Sequence, residues 1–136
     1  MADVTLAWTG DRIQFVGRTA YGEPVLVGGD REGPGAKPSD LLPLSLAACT
    51  AYDVVEVLRK QRQDLRRLDV TVSSTQDPDP PWTFRAMHMR FLLTGTVDAA
   101  KAAKAIDLAE TKYCSTAATL RPVVAITHEV AIVPPT

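Results

Sequence analysis

The chain has 136 residues, which suits one domain with a core of its own. With 46% hydrophobic and 23% charged residues and a net charge of −1, it offers no electrostatic reason to bind nucleic acid or an anionic membrane. The opening MADVTLAW lacks a basic segment followed by an apolar run, and no apolar run approaches the roughly 20 residues that cross a bilayer, so neither a signal peptide nor a membrane span is expected. These readings place the protein in the cytoplasm, where a transient disulfide is usually catalytic or redox-sensing and a permanent one is disfavoured.

In chain order, VTLAW and RIQFVGR alternate apolar and polar residues as strands do, with TGD between them as a tight-turn signal. EPVLVGG predicts a short third strand, and DREGPGAKP is a Gly/Pro-rich loop. Ser39, after Pro38, is placed to cap a helix running to about Leu65, with Pro43 tolerated in its first turn. From Leu41 to Tyr52 this helix is apolar nearly all round, the mark of burial on every side. From Asp53 onward Val54, Val55 and Leu58 alternate with Asp53, Glu56, Arg59 and Lys60, so one face meets water. A chain this short can hardly enclose such a helix alone, and burial by a partner subunit is the simplest solution.

The second half repeats the logic. LDVTVSST predicts a strand, QDPDPPW a rigid loop and TFRAMHMRFLLTG a long alternating strand. Asp98 caps the Ala-rich amphipathic helix AAKAAKAIDLAETKY, STAATL makes a short helical turn capped by Ser115, and VVAITHEVAIV is the final strand. Trp8, Trp82 and the Met87/Met89 alternation are expected to pack on sheet faces. The order of elements predicts an α+β fold with an antiparallel sheet. Without repeats, low-complexity tracts or linkers, residues 1–136 read as a single domain.

The only two cysteines stand in different surroundings. Cys114 precedes a helix start, where free N–H groups and the helix dipole favour a thiolate. Cys49 lies in LSLAACTAYDVVEVL, an apolar helix interior where its pKa should rise unless a cation reaches it. Its neighbours within about one turn, Ser45, Tyr52 and Asp53, carry no positive charge. The candidate cations are Arg18, at the end of the second strand, and Arg31, in the Gly/Pro loop, arginine being the type that stays charged when desolvated. Against this, free cysteine is a common core residue, and two cysteines 65 residues apart are no CxxC motif. His88 and His128 fall in strand patterns and make a poor zinc site with two scattered cysteines, so no metal or cofactor is expected. From the residues alone the thiols are either unrelated core groups or two halves of one reaction.

The segments GPGAKPSDLLPLSLAACTAYDVVEVLRKQR and AIDLAETKYCSTAATL resemble the two cysteine segments of the osmotically inducible protein C and organic hydroperoxide resistance (OsmC/Ohr) family. In that pattern a Pro and an acidic residue head a long helix, the first cysteine follows, and the second comes after a K-Y-C-S type segment. The strands match in order and length, so the resemblance covers nearly the whole chain. It implies an OsmC-like fold, with sheets wrapped around long central helices in an intertwined homodimer. It also implies thiol-dependent reduction of organic hydroperoxides, with hydrogen peroxide as a further substrate. Cys49 would be the peroxidatic thiol and Cys114 the resolving one, closing a Cys49–Cys114 disulfide. An arginine would hold Cys49 as thiolate, an acidic residue would hold the arginine, and a dithiol such as a lipoylated protein would restore the enzyme.

Arg31 sits in the loop position of the osmotically inducible branch and is preferred over Arg18, which sits in a strand position of the other branch. Asp40, nine residues before Cys49, matches the acidic position of the general pattern, whereas the hydroperoxide resistance branch has a glutamate where this chain has Ser39. A regular helix would turn Asp40 about 180° from Cys49, at ~100° per residue, so its role requires a distorted first turn, which Pro43 could cause. The competing function is a non-catalytic dimer of the same fold that binds a small apolar ligand or senses redox state through its cysteines. A cysteine hydrolase is weaker, because no histidine lies near either cysteine in sequence.

Overall fold

The computed structural model describes residues 3–135, which divide into two compact units, the first ending at Leu42 and the second beginning at Pro43. The first unit is a meander of β1 (Thr5–Trp8), β2 (Gln14–Arg18) and β3 (Val25–Gly28), antiparallel in the order β1-β2-β3. The turn between β1 and β2 needs left-handed backbone at Gly10 (φ 83°) and Arg12 (φ 49°), and the Trp8 indole N–H donates to the Arg12 carbonyl at 2.9 Å. Trp8 therefore closes a turn and is 62% exposed, not packed on a sheet face as expected. Trp82 departs in the same way, lying exposed in a loop with φ 54°.

The unit ends in a 3₁₀ turn, Pro38–Asp40. Pro38 has no N–H to lose and a preset φ, so the helical path starts at it, and Ser39 lies inside the turn and is not the expected N-cap. Helix α1 (Leu41–Lys60) follows. It stops five residues short of Leu65, because Arg62 turns left-handed (φ 55°) and closes a Schellman motif. Its bonds run from Gln63 N–H to the Leu58 carbonyl and from Arg62 N–H to the Arg59 carbonyl, both 3.0 Å. Arginine accepts here a conformation usually given to glycine.

The released residues extend the next strand, so β4 (Asp64–Gln76) is longer than LDVTVSST and pairs antiparallel with β5 (Phe84–Thr96). Helix α2 (Ala99–Leu108) starts on Asp98, whose carboxylate accepts the Lys101 N–H at 3.0 Å, the cap read from the sequence. A π-helical turn (Ala109–Tyr113), helix α3 (Ser115–Leu120) and β6 (Ala125–Val133) complete the chain. The sheet order is β4-β5-β6, and β6 runs parallel to β5, with Phe91 opposite Val130. That corrects the expectation of a wholly antiparallel sheet. Parallel neighbours require a crossover connection, and the two helices between β5 and β6 are that connection.

The alternation along β5 turns Met87, Met89, Phe91 and Leu93 to the core, as expected for the methionine pair. Facing them are Leu46, Thr50, Val54 and Leu58, one α1 stripe at four-residue spacing, and Ala102, Ala105 and Ile106 of α2. Another face of α1 is left open among the described residues: Leu44 is 59% and Tyr52 68% exposed. By length and composition Pro38–Lys60, 23 residues, would also cross a membrane, contrary to the expectation that no segment reaches that size. The same helix supplies the core stripe, which is the work of a core helix.

Leu58→Ala should lower the unfolding free energy by about 2–5 kcal/mol, the usual cost of emptying a fully buried leucine site. A urea denaturation midpoint unchanged from the parent chain would contradict this packing.

Candidate active site

Cys49 lies on α1 and Cys114 at the junction of the π turn and α3, and the fold sets the two thiols near enough for each to shift the other's proton affinity. Cys114 leaves the π turn with its N–H on the Ala109 carbonyl at 2.8 Å, then takes an extended conformation (φ −80°, ψ 110°). This is the geometry of an N-cap, and the thiol acts as one: Cys114 Sγ accepts the Ala117 N–H at 3.3 Å. Ser115, expected as the cap, is instead the first helical residue.

The π turn is tied down on two sides. The Arg121 guanidinium donates to the Glu110 carbonyl, and the Glu110 carboxylate, 11% exposed, meets His128 Nδ1 at 3.0 Å. The His128 ring stands edge-on to Phe91, centroids 6.2 Å apart. His88 and His128 lie in β5 and β6, matching their strand patterns.

Both cysteines are free thiols. Burial works to raise the pKa of Cys49, but hydrogen bonds from the Cys114 thiol, the Thr116 N–H and the Thr116 hydroxyl outweigh it. The result lies below the ordinary 9.0, although the nearby Asp53 charge opposes the shift. For Cys114 the balance is reversed: burial first, then its bond to Cys49, pushes the thiol up to about 11 despite N–H groups of Ala117 and Thr116. The sequence expectation of a low Cys114 and a high Cys49 is therefore inverted. The helix start does stabilise an anion, but the sulfur it favours more is the one arriving from the other helix. Two interacting thiols do not readily both ionise, and the opposite directions of the two shifts favour the charge on Cys49.

Thr116 escaped the sequence reading. Its hydroxyl lies 3.2 Å from that of Ser45, which sits one turn before Cys49 on α1. The only hint was a polar residue two places beyond Cys114 in a helix start.

Arg18, Arg31 and Asp40 belong to the first unit, where all three are exposed and, among the described residues, none forms an ion pair. Arg18 ends β2. Asp40 lies in the 3₁₀ turn, so the chain is distorted where its role would require it, through Pro38 at the turn's start in addition to any effect of Pro43. Arg31 rides on the glycine-rich loop, which folds around the buried Gln14, another residue the sequence did not flag. Gln14 donates to Asp30 Oδ2 at 3.2 Å and accepts the Gly35 N–H at 3.2 Å, while the Ile13 N–H also donates to Asp30 at 3.3 Å. A Cβ at Gly28, Gly33 or Gly35 would run into the Gln14 side chain. Asp30, next to Arg31, is thus anchored by side-chain and backbone donors together.

The residues 29–129 match the family described as OsmC-like protein. Protein YhfA of Escherichia coli K12 is 33% identical over 122 residues, covering 89% of this chain and 91% of that protein. The OsmC like protein from Mycoplasma pneumoniae has a structure similar to this one with a TM-score of 0.82 at 16% identity, over 98% of this chain and 97% of that one. The organic hydroperoxide resistance protein OhrB of Bacillus subtilis gives 0.63 at 19% identity, over 96% and 98%. At such identities those two likenesses concern the fold. The family match and the YhfA relationship concern the sequence, and they show that this chain belongs to the OsmC-like protein family.

Proposed function

We propose that the protein is a cytoplasmic thiol peroxidase that reduces organic hydroperoxides, and hydrogen peroxide as a smaller substrate, with Cys49 as the peroxidatic thiol and Cys114 as the resolving one. The observation that carries this reading is the pairing of two free thiols from different helices whose proton affinities are shifted in opposite directions. A lowered pKa gives Cys49 the thiolate needed for attack. A raised one keeps a proton on Cys114, where the second step needs it.

The Cys49 thiolate attacks one oxygen of ROOH: an S–O bond forms, the O–O bond breaks, and the departing alkoxide takes up one proton to leave as ROH. Cys49 is then a sulfenic acid. The Cys114 sulfur attacks Cys49 sulfur, the S–O bond breaks, and the hydroxide leaves with the Cys114 proton as water, closing the Cys49–Cys114 disulfide. A dithiol, such as a lipoylated protein, returns two electrons and two protons and is itself oxidised to a disulfide. Arg31, partnered by Asp40, is assigned to hold the Cys49 thiolate, with Arg18 as the alternative cation, and the two compact units act together as one domain. No metal or cofactor enters this scheme. The exposed α1 face bearing Leu44 and Tyr52 is assigned to a second copy of the chain in a homodimer.

Replacing Cys49 by serine should abolish consumption of cumene hydroperoxide in the presence of dihydrolipoamide. Cys114→Ser should leave the first oxidation intact and trap a sulfenic acid that dimedone labels at Cys49. Label on Cys114 in a still-active Cys49→Ser protein would exchange the roles, and a parent chain without turnover would favour redox sensing. Arg31→Ala should slow the first step by about tenfold or more, the effect of losing roughly 1.4 kcal/mol of charge stabilisation; the same loss in Arg18→Ala alone would move the assignment.

The dimer has its own test. Sedimentation equilibrium should give twice the chain mass for the parent, and Leu44→Glu with Tyr52→Glu should shift it toward monomer. A monomeric parent would end the assignment of that face.

A further inference from the structure

Cys114 is not the only donor that α3 offers to Cys49. Thr116, the second residue of α3, lies near Cys49, and its N–H and hydroxyl are among the groups that lower the Cys49 pKa. On the α1 side Ser45 stands four residues before Cys49, so the two side chains share a helix face. The Ser45 and Thr116 hydroxyls meet at 3.2 Å, a polar bridge between α1 and α3 one helical turn from Cys49.

We propose that Thr116 is a further catalytic residue, its hydroxyl donating to the Cys49 sulfur, and that Ser45 is a positioning residue that holds this hydroxyl in place. The direction of each bond follows from counting protons. A thiolate only accepts, and a threonine hydroxyl has one proton, so that proton goes to Cys49. The Thr116 oxygen then serves as acceptor in the hydroxyl pair, and Ser45 must be the donor. Ser45 thereby fixes the Thr116 rotamer that aims at sulfur. The role goes beyond the arginine assigned above, since it uses a neutral donor already seated on the second unit, next to both thiols. As catalysis it rests on the peroxidase reading; as a contact with Cys49 it does not.

The test measures the pH dependence of Cys49 alkylation by iodoacetamide, read by mass spectrometry of the cysteine-bearing peptides, in the full chain. Thr116→Val keeps the backbone N–H and the β-branched shape and removes the hydroxyl. It should shift the Cys49 profile to higher pH and slow alkylation at pH 7 by about tenfold, the scale of one hydrogen bond to a charged acceptor. Thr116→Ser should restore the parent profile. Ser45→Ala should shift it in the same direction by less. Peroxide consumption should fall in the same order. An unshifted profile in Thr116→Val, or a Thr116→Ser protein no better than the valine variant, would overturn the proposal. Because alkylation needs no peroxide, shifted profiles in a chain without turnover would sustain the Thr116 contact and remove only the peroxidase reading.

Discussion

Two thiols from different helices act on one another at the start of α3, and together they can readily hold only one negative charge. That constraint organises the site. Once Cys49 is ionised, every donor near it is more strongly bound, and the second ionisation must work against the first charge. Cys114, buried to 3% exposure, lacks the water that would soften this penalty, so the asymmetry follows from burial and contact together. The same hydrogen bond that steadies one thiolate keeps the other thiol protonated. Under the proposed peroxidase reading, a dithiol arranged in this way has its nucleophile and its proton donor assigned before any oxidant arrives.

The surrounding structure serves that contact. The α1 stripe from Leu46 to Leu58 is locked against β5, which fixes where Cys49 can lie. On the other side, the crossover between β5 and β6 carries Cys114 on the segment joining two helices. The π turn before it is held by Arg121 and by the Glu110–His128 pair, and the Cys114 thiol caps α3 in place of a hydroxyl or carboxylate. A cap made of sulfur ties the backbone of α3 to the Cys114 side chain. π turns occur often at functional sites, where one extra residue per turn redirects a side chain that a regular helix would carry elsewhere.

The first unit solves a different problem, that of shaping a loop rich in glycine without leaving it loose. Its answer is a buried amide. Gln14 fills the space that side chains at Gly28 and Gly33 would occupy, the Val27–Gly28 backbone excludes one at Gly35, and Gln14 links Asp30 to the Gly35 N–H. Gly28 and Gly33 allow close approach of this side chain, and Gly35 allows close approach of the β3 backbone. Arg31 gains a defined loop from it, which a free Gly/Pro segment would not provide.

The sequence by itself determined what local periodicity and chemistry can encode. Three N-terminal strands, the inward alternation of Met87 and Met89, the Asp98 cap and the helical span through Cys49 were legible because each depends on residues close along the chain. The OsmC-like pattern was legible through two cysteine segments, and family membership agrees with it. What the tertiary structure decided was set by groups distant in sequence. The parallel placement of β6 came from the crossover, and the early end of α1 came from a left-handed arginine. Which thiol ionises first was decided by the Cys114 and Thr116 donors that meet Cys49 only after folding. A pKa is a property of a site's surroundings, and those surroundings do not exist until the two helices come together.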